Sequence, residues 1–259
     1  MSLPTDVLDL ILSFLQEDHT TLKACLESHP ILSQIAERYS YAHLTVDENA
    51  TIQSEIQVQV DGKLTDVLSR RPRIAKYVRS LEIRIGSDSF SQELPTILSS
   101  DLLPCLTTIA LSSKCGIGWQ SLPESFRTAF IASFDLPSIR SISIVWISSF
   151  PLSALNGCNK VKDLTLNGWS WDGVNNTPDD VNLQLESLSI KTCGRKSLER
   201  LITWSPTRHL RALELSGLIS SGYAKIPDLL SKCSNSLTSL KIYLGYYCAS
   251  YPSPLTDFC

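Results

Sequence analysis

No stretch of this chain is both apolar enough and long enough to cross a bilayer. The longest run without a charged residue, Ser141 to Asn159, is interrupted by Ser148, Ser149, Pro151, Ser153 and Asn156. The most apolar segment, Val7 to Leu15, would rise only about 14 Å as a helix at ~1.5 Å per residue, against a hydrocarbon core of ~30 Å. Basic residues are missing from the start. The first is Lys23, and Asp6 and Asp9 fall in or beside the apolar segment, which does not fit a secretory leader. The expectation is a soluble protein of the cytoplasm, the nucleus or both, with no membrane partner.

Metal-binding spacing is also missing. The eight cysteines (Cys25, Cys105, Cys115, Cys158, Cys193, Cys233, Cys248 and Cys259) never come closer than ten residues, so there is no C-x-x-C and no Cys/His cluster. They read as reduced thiols, small core or loop residues. Histidine is scarce: His19, His29, His43 and His209 form no H-x-x-x-H. No G-x-S-x-G elbow, P-loop or G-x-G-x-x-G occurs, and "GIGWQS" (116–121) lacks the third glycine. Carboxylates are scattered. The chain is therefore expected not to be an enzyme, and to hold no cofactor and no metal.

A strong excess of one charge is absent overall, with a net charge of −3. Residues 1–50 carry eight acids and two bases, and residues 51–259 carry 18 acids and 21 bases. Neither balance gives a nucleic-acid footprint. One basic stretch stands out: Arg70, Arg71, Arg73, Lys76, Arg79 and Arg84 are opposed only by Glu82. Charge runs usually form a solvated face. The alternative is a patch for an acidic partner or for nuclear import.

What the chain does have is apolar content and repetition. At 43% hydrophobic over 259 residues it can bury a sizeable core. An apolar hexad h-x-x-h-x-h recurs seven times: "VRSLEI" at 78, "LTTIAL" at 106, "IRSISI" at 139, "VKDLTL" at 161, "LESLSI" at 185, "LRALEL" at 210 and "LTSLKI" at 237. One hexad would mean nothing. Seven at steps of 22 to 33 residues define a repeat. Alternation at the last positions of each makes a short strand, with Leu81 and Ile83, or Leu213 and Leu215, on one side.

Between the hexads lie segments with helical spacing, at 64–78 (broken at Pro72), 123–134, 197–204 and 224–233. Strand, turn, helix, turn predicts parallel strands joined by crossovers on one side, an α/β solenoid with strands concave and helices convex. The pattern resembles leucine-rich repeats, whose unit continues to an Asn or Cys at the ninth position. Here only "LESLSIKTC" supplies it, with Cys193. The resemblance covers residues 78 to about 245 and, without an asparagine ladder, implies an irregular arc. The longest step, before 139, implies an extra loop or a longer helix.

The N-terminal segment raises a different question. Val7, Leu10, Ile11 and Phe14 make one apolar stripe, and Leu8, Leu12 and Leu15 make a second, so a helix here is apolar on nearly every side. "LPTDVLDLILSFL", followed by "LKAC" (22–25), resembles an F-box. Leu3, Pro4, Asp6, Val7, Leu8, Ile11, Leu12, Ser13, Phe14 and Leu15 fall in register, and "LKAC" matches the start of the family's second helix, as in fungal F-box proteins with this architecture. The family usually carries a Trp in its third helix, where this chain has Leu32.

The resemblance implies a small helical domain over 1–46 and a repeat domain over 47–259. It also implies a role as substrate-recognition adaptor of an SCF-type (cullin–RING) ubiquitin ligase. The Skp adaptor would contact Leu3, Pro4, Val7, Leu8, Ile11, Leu12, Leu15 and Leu22, with Leu8, Ile11 and Leu15 exposed. The alternative is an interaction scaffold whose N-terminal helices only cap the solenoid.

In either reading the outward strand positions would meet a partner protein. They are mostly small hydroxyl residues, so the binding candidates are Asn167, Lys191, Glu214, Lys241 and Tyr243, with Trp169 and Trp171 in the loop "NGWSWDGVNNTPDD".

Overall fold

A computed structural model describes residues 3–52, 63–86, 90–98, 102–155, 158–168, 183–192, 198–199, 201–202, 205–218 and 223–243. Three helices come first: α1 (Thr5–Phe14), α2 (His19–Ser28) and α3 (Pro30–Ser40). Local chemistry sets their ends. The Asp18 carboxylate accepts from the Thr21 backbone N–H at 3.0 Å, capping α2. Pro30 opens α3, where a missing N–H costs nothing.

The chain then enters β1 (His43–Asp47), and seven further strands follow: β2 (Ser80–Ile85), β3 (Thr108–Gly118), β4 (Ser141–Ser148), β5 (Asp163–Asn167), β6 (Ser187–Lys191), β7 (Ala212–Ser216) and β8 (Ser239–Tyr243). Helices α4 (Leu64–Arg70), α5 (Glu93–Ile97), α6 (Glu124–Ala132) and α7 (Ile226–Cys233) lie between strands. As the sequence implies, α4 stops before Pro72 and gives way to a 3-10 turn, Pro72–Lys76. Residues 198–199 and 201–202 are helical within the segment expected at 197–204.

Among the described residues all eight strands form one open parallel sheet in chain order, β1 to β8. The protein is thus α/β, with a topology compatible with an α/β solenoid. Each of β2 to β8 starts two residues into its hexad, because the first apolar residue turns under the strand entry. Val78, Leu106, Ile139, Val161, Leu185 and Leu210 are all buried there. The fourth and sixth positions stack in register: Leu81, Ile109, Ile142, Leu164, Leu188 and Leu213 form one row, and Ile83, Leu111, Ile144, Leu166, Ile190 and Leu215 the other. The helices add Leu68, Ile97, Phe126, Phe130 and Leu229 to the same core. Inside it Trp119, Phe130, Phe134 and Phe150 meet edge-on or tilted, at ring separations of 5.0 to 6.5 Å.

Backbone ties the repeats together at the strand entries. The carbonyl just before each strand accepts two N–H groups from the next repeat: Ala42 from Arg79 and Ser80, Arg79 from Thr107 and Thr108, Thr107 from Arg140 and Ser141. The fork recurs at Arg140, Lys162, Glu186 and Arg211, with every bond between 2.7 and 3.1 Å. Because backbone supplies both partners, no particular side chain is required at these joints.

Irregularity is concentrated at β3 and β4. Their pairing shifts register between Ser112 and Ile117, around Gly116 at φ +74°. The long step before 139 holds the extended β3, a 3-10 turn (Trp119–Ser121), α6 and a second 3-10 turn (Ser133–Asp135).

The helical unit has a core of its own, made by Leu12, Leu22, Ile35 and Ala36. It is separate from the main core, which begins at Tyr41 and Leu44. The sheet begins inside the segment expected to be helical, since β1 pairs with β2 from His43.

Candidate functional site

The first candidate surface is α1. Leu12 lies buried, and Leu8 and Leu15 pack beside it against the small core. Asp9 and Ser13 continue that inner side toward α3. The Arg38 guanidinium donates to Asp9 Oδ1 at 3.2 Å, and the Tyr39 hydroxyl meets both Asp9 Oδ1 and the Asp9 carbonyl at 3.2 Å. Burial, then the Asp9 charge, raises the Tyr39 pKa, so the phenol stays protonated and donates. These bonds fix the rotation of α1 about its axis.

The consequence is that Leu3, Val7, Leu10, Ile11 and Phe14 face outward, Phe14 with 81% of its surface exposed. Of the expected adaptor contacts, Leu3, Pro4, Val7 and Ile11 are on this exposed side. Leu8 and Leu15 are half-buried, which corrects the expectation that they form the exposed stripe. Leu12 and Leu22 are buried in the three-helix core and reach no partner surface. Sequence reasoning left Leu10 and Phe14 out of the contact set. The signal was present in the Val7–Leu10–Ile11–Phe14 spacing, but two apolar stripes left open which one the other helices would cover.

The second surface is the outer face of the sheet. Register aligns Val145, Asn167, Lys191, Ser216 and Tyr243 across β4 to β8, and Thr165, Ser189, Glu214 and Lys241 in the next row. The candidates Asn167, Lys191, Glu214, Lys241 and Tyr243 thus share one continuous face, and Tyr243 is exposed. The Lys191 ammonium pairs with Glu214 at 3.3 Å. Asn167 Oδ1 and Ser189 Oγ are buried without a hydrogen-bond partner. Trp169 and Trp171 lie outside the described residues.

At the other end of this face Glu82 joins three strands, accepting from Arg84 at 3.0 Å, Ser112 at 2.8 Å and Thr45 at 3.5 Å. Burial pushes its carboxyl up, but the Arg84 charge and the two hydroxyls outweigh that and hold the pKa below its ordinary value.

An aromatic anchor missed from the sequence stands on this face. Trp146 is 41% exposed, at φ +57°. The left-handed residue breaks the strand alternation, so that Ile147 turns inward and the indole turns out. Its ring lies on Gly168, at φ +61°, where an added Cβ would stand 2.3 Å from the indole.

A third feature is a cleft of about 880 Å³ between the helical unit and the first repeat, lined by residues of α2, α3 and the 70–73 segment. On its wall, Glu37 accepts from Arg73 at 2.9 Å and lies 3.8 Å from Arg71.

Among the described residues no cluster of His, Cys, Asp or Glu is arranged to hold a metal ion, and Cys25, Cys105, Cys115, Cys158 and Cys233 are free thiols. Burial, then Asp135, pushes Cys158 up to about 12, which keeps it an inert thiol. No described helix is long and apolar enough to cross a membrane. Neither a scan against protein-family models nor a search of curated proteins finds a match for this chain.

Proposed function

We propose that the chain is a substrate-recognition adaptor of an SCF-type ubiquitin ligase. In this reading the helical unit binds the Skp adaptor, and the outer face of the sheet binds a substrate protein. The observation that carries it is the outward side of α1. Of the nine large apolar side chains exposed among the described residues, five fall between Leu3 and Phe14. A contiguous apolar patch on a short helix that already has its own core calls for a protein partner. The resemblance of Leu3, Pro4 and the residues in register behind them to an F-box names that partner, and the leucine-rich-type repeats behind it supply the second surface. The chain would act by proximity, bringing a substrate lysine to the ligase, with no chemistry of its own.

A capped scaffold is the second reading, favoured by the joint between the units: Glu37 holds Arg73, and the Ala42 carbonyl takes the first backbone fork. A pure cap, however, would direct its apolar residues into the end of the solenoid. Here Leu12, Leu22, Ile35 and Ala36 form a separate cluster. Co-expression of the full chain with the Skp adaptor, followed by pull-down, tests the choice. Stoichiometric co-purification is expected. A folded chain, verified by circular dichroism, that retains no adaptor would contradict the ligase reading and favour the scaffold.

A further inference from the structure

The cleft at the joint collects charge that neither reading uses. Four cations line it, Lys23 from α2 and Arg70, Arg71 and Arg73 from the end of α4 and the turn that follows, against two acids, Glu27 and Glu37. The cleft wall is thus net positive by two. Lys23 and Arg70 have no ion-pair or hydrogen-bond partner among the described residues, and the Arg71 and Arg73 side chains are 51% and 58% exposed.

Glu37 is different: its side chain is only 5% exposed, and it braces the two guanidiniums from beneath through Oε1 alone. Its Oε2 is buried without a hydrogen-bond partner, and the hydroxyl of buried Tyr41 stands close to the Arg71 guanidinium. Burial raises the Tyr41 pKa, so that hydroxyl keeps its proton. One carboxylate thus holds two arginines side by side on the wall of the cleft.

We propose that this cleft binds a phosphate monoester. Guanidiniums offer donors in a planar fork that matches phosphate oxygens two at a time. A monoester carries about −1.5 to −2 near neutral pH, which complements the net charge of the wall. The volume exceeds what a lone phosphate needs and falls within the ~300–1,000 Å³ of ligand sites, leaving room for the group that carries the phosphate. That group is either a free phosphorylated small molecule or a phosphorylated side chain of another protein. Glu37 is a positioning residue, which sets the arginines and touches no ligand. The inference does not depend on the ubiquitin-ligase reading.

The test is titration calorimetry of the full chain at low salt with four probes: inorganic phosphate, phenyl phosphate, a phosphoserine peptide and the same peptide unmodified. Charge-assisted bonds of this kind predict at least about tenfold tighter binding of the phosphorylated peptide than of its unmodified form. Phenyl phosphate binding as tightly as the phosphopeptide assigns the site to small molecules; a phosphopeptide clearly tighter assigns it to a protein chain.

Lys23→Gln with Arg70→Gln removes two unpartnered charges and should weaken phosphate-ester binding about tenfold or more, with the urea midpoint unchanged. Glu37→Gln makes the wall more positive. A loose charge patch would then bind tighter, whereas a braced fork binds weaker. Should Glu37→Gln fail to fold, the Lys23/Arg70 variant decides alone. Equal binding of modified and unmodified peptide, or undiminished binding by the Lys23/Arg70 variant, overturns the site.

Discussion

The helical unit and the sheet treat their apolar residues in opposite ways. In the sheet each repeat covers the next, so the inward rows from Leu81 to Leu213 and from Ile83 to Leu215 are buried. In the helical unit only four residues are fully buried as a core, while five apolar residues between Leu3 and Phe14 are left in the open. A repeat array closes its own hydrophobic account by stacking. A three-helix unit of about 40 residues is too small to cover all of α1. The difference separates a part whose apolar residues hold the fold from a part whose apolar residues are offered outward.

The largest expected effect lies in the sheet. Leu188 is fully buried, in register with Leu164 and Leu213 on both sides. Leu188→Ala should cost about 2–5 kcal/mol in a urea titration, because two repeats hold the cavity open. Ser189→Ala, one residue on, removes a buried hydroxyl that has no partner. It should be neutral or slightly stabilising, within about 0.5 kcal/mol. Equal midpoints for the two variants would break the assigned strand phase, since a one-residue slip exchanges their roles.

A smaller effect is expected where the face carries strain. Gly168→Ala puts a Cβ into the Trp146 ring at a left-handed φ. A cost of about 1–3 kcal/mol is expected, together with a shift in indole fluorescence as the ring is pushed off. Unchanged stability and emission would show that the ring does not rest on Gly168.

The smallest effect concerns pH. Glu82 has a folded pKa below its ordinary value of 4.5, so its carboxylate stabilises the fold fully above the unfolded value. That contribution is lost as the pH falls through 4.5 toward the lowered folded value. Glu82→Gln should therefore show a flatter stability profile in that acid window, and the same slope as the parent would contradict the network of Arg84, Ser112 and Thr45.

The sheet was legible in the sequence because a strand has a period of two and the repeats enforce it seven times over. Each hexad located its strand and the phase of its inward residues, though each of these strands starts two residues into its hexad, and 123–134 and 224–233 located α6 and α7. The failures are equally specific. In β4 the alternation would have sent Trp146 inward, and only a backbone turn to positive φ, invisible in residue type, reverses it. In α1 both stripes satisfy helical spacing, and the choice between them is made by Arg38 and Tyr39 on α3, thirty residues away, through Asp9. Leu12 and Leu22 belong to the contact set only through the family resemblance, which aligns apolar positions without saying which of them the neighbouring helices cover. The basic segment at 70–73 was visible as a charge run, while its meeting with Glu37 depends on how α3 leads into β1.

The most direct test of the difference between the two regions is the affinity of the full chain for the Skp adaptor, compared with that of Leu10→Ser/Phe14→Ser. Both side chains are exposed, so the pair should leave the urea midpoint within about 0.5 kcal/mol per site of the parent. If α1 is offered to a partner, the same variant should lose about a hundredfold or more in affinity, since truncating central apolar anchors costs upwards of 2 kcal/mol each. Undiminished binding by this variant, or a collapse of stability, would contradict the account of α1 as an outward docking surface.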